Sequence, residues 1–134
     1  MEPKRLIEKA GKLANKKSLS DECDVGAVGC AIISGSGAEY VGVSIDAACG
    51  IGFCAEHAAI AAMITAGESR IRQIVAVNQY GTVLSPCGRC RELMFQINQA
   101  NLQTEVILGE HATVLLGELL PKRWQEAWMA EPTP

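Results

Sequence analysis

Residues 25–34 read VGAVGCAIIS, ten residues with no charge and no alternation between apolar and polar. A strand with one wet face alternates; a continuous run of small and β-branched residues marks a strand buried on both faces. Such a strand needs a covering layer above and below, and helices supply one. Four helices are expected: residues 3–17 with Pro3 in the first turn, residues 55–66 closed by Gly67, residues 87–100, and a short one after LLPKRW at 119–124. SLSDE at 18–22 reads as a polar break. SGSG at 34–37 is a turn leading to a hairpin partner over 40–45. Further strands are expected at 71–78, 105–108 and 113–115, with 47–53 and 79–86 as loops. The hairpin is antiparallel and the later strands are reached through helices. The fold expected is α/β: a three-layer α/β/α sandwich around a mixed five-stranded sheet, as a single domain over 1–134.

Composition excludes several function classes. Apolar residues make up 49% and charged residues 20%, which is globular. The net charge is −3, and Lys and Arg cluster nowhere beyond the first helix, so no nucleic-acid partner is expected. No apolar run is long enough to cross a membrane, so no membrane partner is expected either. The N-terminal MEPKRLIEKAGKLANKK has no apolar signal core. A cytoplasmic, reducing location follows, where disulfides are rare. Six cysteines then need another explanation.

SPCGRC at 85–90 sets Cys87 and Cys90 one helical turn apart, and Cys54 opens the preceding helix. Helix N-termini carry partial positive charge and free N–H groups, which favour thiolates. Helices that follow parallel strands bring their N-termini to one end of the sheet. Three thiolates can then converge on a metal. Three protein ligands leave a zinc position open for water, whereas a structural zinc closes its tetrahedron. A redox pair at 87 and 90 would leave Cys54 and Glu56 without a role. His57 could be offered as a fourth ligand, but it points to a different helix face from Cys54. Cys23, Cys30 and Cys49 read as small buried or half-buried residues, and His111 as a surface residue. Glu56, two residues beyond Cys54, is placed near the metal without binding it. C-A-E at 54–56 followed by P-C-G-R-C at 86–90 is the pattern of a zinc deaminase.

GFCAEHAAI at 52–60 and LSPCGRCREL at 84–93 resemble the small zinc-dependent cytidine deaminases, including the blasticidin S deaminases. The resemblance implies a cytidine deaminase-like fold in which Cys54, Cys87 and Cys90 bind Zn²⁺. It implies hydrolytic deamination of a cytosine ring to uracil, with Glu56 carrying protons from water to the ring and then to departing ammonia. It also implies a homotetramer whose sites are shared between subunits. DVGAV at 24–28, with Asp24, is similar to the family's first-strand motif. Ser44 and Asp46 lie where cytidine deaminases carry the Asn-x-Glu that holds ribose. Ala55 falls against the ring, and ELLPKRW, with Trp124, looks like the family's C-terminal Leu-Leu-Pro and aromatic.

Three departures bear on substrate. His57 replaces an arginine common in the tetrameric enzymes, where it offsets thiolate charge; helix N–H groups and Arg91 are the donors that remain. Ser44 and Asp46 are shorter than the Asn and Glu they replace. Blasticidin S deaminases carry a basic residue in the loop before the PC motif to meet a carboxylate; here NQYGTVL at 78–84 has none. The substrate expected is cytidine or deoxycytidine. The alternatives are a blasticidin S-like or other modified cytosine or isocytosine nucleoside, and a nucleoside-binding protein without turnover. Glu56 argues against the last, because binding alone needs no proton carrier.

Overall fold

The computed structural model describes residues 1–129. Its elements run α1 (Pro3–Leu13), β1 (Lys17–Ser20), β2 (Cys23–Ser34), β3 (Glu39–Ala47), α2 (Ala55–Thr65), β4 (Ile71–Asn78), β5 (Val83–Leu84), α3 (Gly88–Ile97), β6 (Glu105–Gly109), β7 (Ala112–Leu115), α4 (Leu116–Leu119) and α5 (Gln125–Met129). Short 3-10 turns cover Ala48–Gly50 and Gln99–Gln103.

The sheet has seven strands, not five. Five form its body in the order β3-β2-β4-β6-β7, all antiparallel pairs except β4–β6. The two additions are short. β1 pairs with the start of β2, on the edge that β4 takes further along, and β5 pairs with the end of β4. Neither is visible in composition. All four residues of β1 are exposed, so its pairing is made by backbone alone and leaves no apolar trace. It also cuts α1 short, at Leu13. β5 has only two residues inside the expected loop.

β2 behaves as its composition requires. Cys30 and Ile32 face α2 and α3, in a cluster with Ala59, Ile60, Met63, Ile74 and Met94. Ala31 and Ile33 face α1, packed with Leu6, Ala10, Val75, Val77 and Ile107. One strand thus serves both cores of an α/β/α sandwich. Among the described residues no helix is long and apolar enough to cross a membrane.

Gly42 explains how α2 comes so close to β3. A Cβ there would lie 2.5 Å from the Ala59 nitrogen and 2.6 Å from the Ala58 Cβ. Backbone cannot yield as a flexible side chain would. Gly42→Ala should therefore lower stability by about 1–3 kcal/mol, the usual cost of overpacking. A shift in the urea midpoint would measure it; an unchanged midpoint would mean that α2 can slide on the sheet.

Candidate zinc site and cavity

β3 and β4 both run antiparallel to β2, so they point the same way. α2 follows β3, and α3 follows β4 and the short β5. Their N-termini therefore open at the same end of the sheet, where sites form in layered α/β folds. Cys54 is the N-cap of α2 and Cys87 the N-cap of α3; Cys90 lies in α3's first turn. The expected helix at 87–100 thus begins one residue later and ends at Ile97.

The three sulfurs converge. Cys54 Sγ is 3.4 Å from Cys87 Sγ, which is 3.5 Å from Cys90 Sγ, and all three lie within 4.8 Å of one another. No disulfide joins them; all six cysteines are free. Zn–S bonds of about 2.3 Å at tetrahedral angles put ligand sulfurs roughly 3.8 Å apart, so the spacing suits the ion. The donor chemistry suits it too, since soft thiolates favour zinc over magnesium or calcium. Without a cation, three thiolates are poorly tolerated here. Burial pushes the Cys54 and Cys90 thiols up, and each is raised further by its neighbours. Burial also opposes ionisation of Cys87, but the Cys90 backbone N–H and the adjoining thiols bring that group down on balance. A divalent cation among them reverses this logic.

Glu56 is 5% exposed, and burial raises its carboxyl above the ordinary range. It opens, with Cys54 and Cys87, onto a cavity of about 700 Å³, while Cys90 is buried behind them. Ala27 and Val28 of β2 line one wall. They stand at a break in β2's register, where Gly26 adopts φ +81°. Phe53 is pinned to β3 by two backbone bonds with Ile45, of 2.9 and 3.0 Å. Gly52 permits that approach: a Cβ there would meet the Ile45 carbonyl oxygen at 2.1 Å.

The other expected site residues separate into two groups. Ser44, Asp46 and Ala55 line the cavity. Ser44 is buried, and its Oγ accepts the Val28 N–H at 3.0 Å, so it also holds the β2 irregularity. Asp46 is exposed at the rim. Asp24 pairs opposite Asp46 across the two strands but is not in the lining; it lies 3.8 Å from the Lys16 ammonium. Trp124 is 57% exposed and stands away from the cavity of its own chain, its indole N–H donating to Glu92 Oε2 at 3.3 Å.

The cations near the thiols have distinct surroundings. The Arg91 guanidinium donates to the Pro86 carbonyl at 2.8 Å, the Leu119 carbonyl at 3.1 Å and Ser85 Oγ at 3.0 Å. It ties the C-terminal segment to the loop before α3, with its hydrogen bonds spent on neutral acceptors. His57 stacks on Phe53 with ring centroids 5.1 Å apart, and its buried Nδ1 has no partner among the described residues. The cation that does line the cavity is Arg89, between the two cysteines of α3. Its signal was its place in the first turn of a helix that opens onto the site. Phe53 was likewise legible only as the residue before Cys54. Cys30 is buried, Cys23 half-buried and His111 exposed, as expected, but Cys49 is exposed in the loop before the site.

Comparison with known proteins agrees with this geometry. The family model for the cytidine and deoxycytidylate deaminase zinc-binding region matches residues 1–106. The chain is 31% identical to a cytidine deaminase of Mycobacterium tuberculosis over 96 residues, 71% of this chain and 70% of that protein. Its structure is similar to the crystal structure of a cytidine deaminase from Mycobacterium tuberculosis, with TM-score 0.76, 25% identity and coverage of 92% and 98% of the two chains. A cytidine deaminase from Burkholderia pseudomallei gives TM-score 0.72 and 26% identity, covering 92% and 100%. A model match over most of the chain, a curated relative and the same layered fold lead to one assignment: the chain belongs to the cytidine and deoxycytidylate deaminase family, whose enzymes are zinc-dependent hydrolases.

Proposed function

We propose that this protein removes the 4-amino group from the cytosine ring of a nucleoside, cytidine or deoxycytidine, giving the uracil nucleoside and ammonia. The observation that carries this reading is a buried carboxylate, Glu56, beside three converging thiols, with Glu56, Cys54 and Cys87 lining one cavity. Cys54, Cys87 and Cys90 hold the zinc, and three protein ligands leave a position open to water. When bound, zinc supplies Lewis acidity that brings the pKa of water towards neutrality. The chain's residues do the rest. Glu56 takes the proton of the attacking water and delivers it to ring N3 as the new C–O bond forms at C4. It then takes the remaining proton from the new C4 hydroxyl and gives it to the amino nitrogen as the C4–N bond breaks, leaving a C4 carbonyl and ammonia. Burial favours this role, because a carboxyl raised towards neutral pH both accepts and returns a proton readily. Phe53 and Val28 give the ring apolar walls, and the first turn of α2 at Ala55 presents backbone groups to it.

Apolar surface left open on the single chain supports a homotetramer with shared sites: Ala61, Ala62 and Ile64 on α2, and Trp124 and Trp128 near the end. Trp124, outside the cavity of its own chain, is then available to a neighbour's. Six free thiols suit the reducing cytoplasm.

Turnover of cytidine, deoxycytidine, cytosine and modified cytosine nucleosides, followed by absorbance and ammonia release, tests the reading. No activity on any of them by the zinc-loaded protein would end it. Asp46→Ala adds a finer test. A sugar hydroxyl donating to Asp46 should be worth about 1.5–3 kcal/mol, the range for bonds to charged groups. The loss should appear in kcat/KM for cytidine and be absent for free cytosine. Equal losses would mean that Asp46 supports the zinc loop instead.

A further inference from the structure

Arg89 stands out against the charges around it. It is the one cation among the residues lining the cavity, where Asp46, Glu56 and the thiols are otherwise acidic or neutral. It is exposed, and it makes no hydrogen bond or ion pair with the described residues. The neighbouring arginine on the same helix donates to two carbonyls and a hydroxyl. Among the described residues no partner holds the Arg89 guanidinium, which leaves its five donors to a ligand.

Its wall is also informative. Leu84 and Ser85, the end of the loop that precedes the PC motif, line the cavity alongside it. That loop has no basic residue of its own, and Arg89 brings a cation to the same wall from the first turn of α3. Asp46 reaches the cavity from β3, at the other side of the sheet from β4 and β6, which α3 connects. A cytosine ring between these walls leaves room on either side in a cavity of about 700 Å³. The rim therefore offers an acceptor on one side and a forked cation on the other.

We propose that Arg89 is a specificity-determining residue that binds an anionic group, phosphate or carboxylate, carried by the cytosine nucleoside. This rests on the deaminase reading and names the substrate class within it: a cytosine nucleoside with a negatively charged appendage. Guanidinium is suited to the task because its planar fork matches both oxyanions bidentately.

The test uses zinc-loaded protein and two neutral probes, cytidine and deoxycytidine. It sets them against deoxycytidine 5′-phosphate and the 5′-carboxylate of cytidine. Calorimetry gives affinities and absorbance gives kcat/KM, so binding is read whether or not turnover occurs. The native protein should prefer at least one anionic probe to its neutral counterpart. Arg89→Gln should lower that anionic-to-neutral ratio tenfold or more, with Arg89→Lys between the two. Added salt should narrow the ratio in the native protein and leave it little changed in Arg89→Gln. A ratio that falls only for the phosphate, or only for the carboxylate, supports the proposal and identifies the source of the anion. Equal losses on charged and neutral probes would overturn it, assigning Arg89 to the thiolate charge instead. No preference in the native protein would also overturn it. Turnover of neutral nucleosides without that preference leaves the deaminase reading standing, so the two failures are distinct.

Discussion

Glu56→Gln should abolish nearly all turnover while the protein keeps its zinc. A general acid–base group typically contributes 10²–10⁴-fold, and here one carboxyl serves successive proton transfers, so a loss at or above the upper end is expected. Glutamine keeps the volume of a side chain that is almost completely buried, so packing is preserved. The metal-free variant should be no less stable than the metal-free parent at neutral pH. The sign follows from linkage: burial raises the folded-state pKa of Glu56, so stability is lost as pH rises from the ordinary carboxylate range to the folded value. Glutamine does not ionise and avoids that loss. Steady-state kinetics with zinc analysis on one preparation measures both effects. A variant with near-native kcat would mean that another group carries the protons.

The parts of this molecule that were legible in its sequence are those where side-chain chemistry carries the signal. β2 could be read as doubly buried because both its faces must be apolar, and the three layers follow from that. The thiol trio was legible because ligand spacing is a chemical constraint: one turn between Cys87 and Cys90, and helix starts for Cys54 and Cys87. β1 was not legible, because a strand with every residue exposed is held by backbone pairing that any polar sequence can supply. Nor was the length of α3, where Asn98 starts a new 3-10 turn by accepting the Ala100 N–H.

The arginines show a different limit. Arg89 and Arg91 sit two positions apart, and the sequence reading offers only Arg91 as a cation for the metal site. Helical geometry sends them in different directions. One meets Pro86 and Leu119 carbonyls and becomes a structural tie; the other opens onto the cavity. Proximity in sequence to a ligand says little about which charge the site feels. The same applies to Ser44, whose hydroxyl oxygen accepts a backbone N–H that a strand irregularity leaves free. Its O–H remains able to donate, so a contact with sugar and a structural role are compatible there.

Cys87→Ala should remove zinc and the stability that zinc confers. Cys87 suits the test because its side chain is exposed, so its loss creates no core cavity, unlike that of the fully buried Cys90. Binding to the folded state alone stabilises by about 4 kcal/mol when free zinc exceeds Kd a thousandfold. For a chain of this size that corresponds to roughly 10 °C or more in Tm. The expected pattern has three parts. Chelation lowers the Tm of the native protein by that amount. The variant, without added chelator, melts near the chelated native protein. Chelator then changes the variant little, because two thiols hold the ion far less tightly than three. Differential scanning calorimetry with metal analysis on the same samples decides it. A variant that retains one zinc per chain, or that loses as much stability to chelator as the native protein does, would place the metal elsewhere and remove Cys87 from the ligand set.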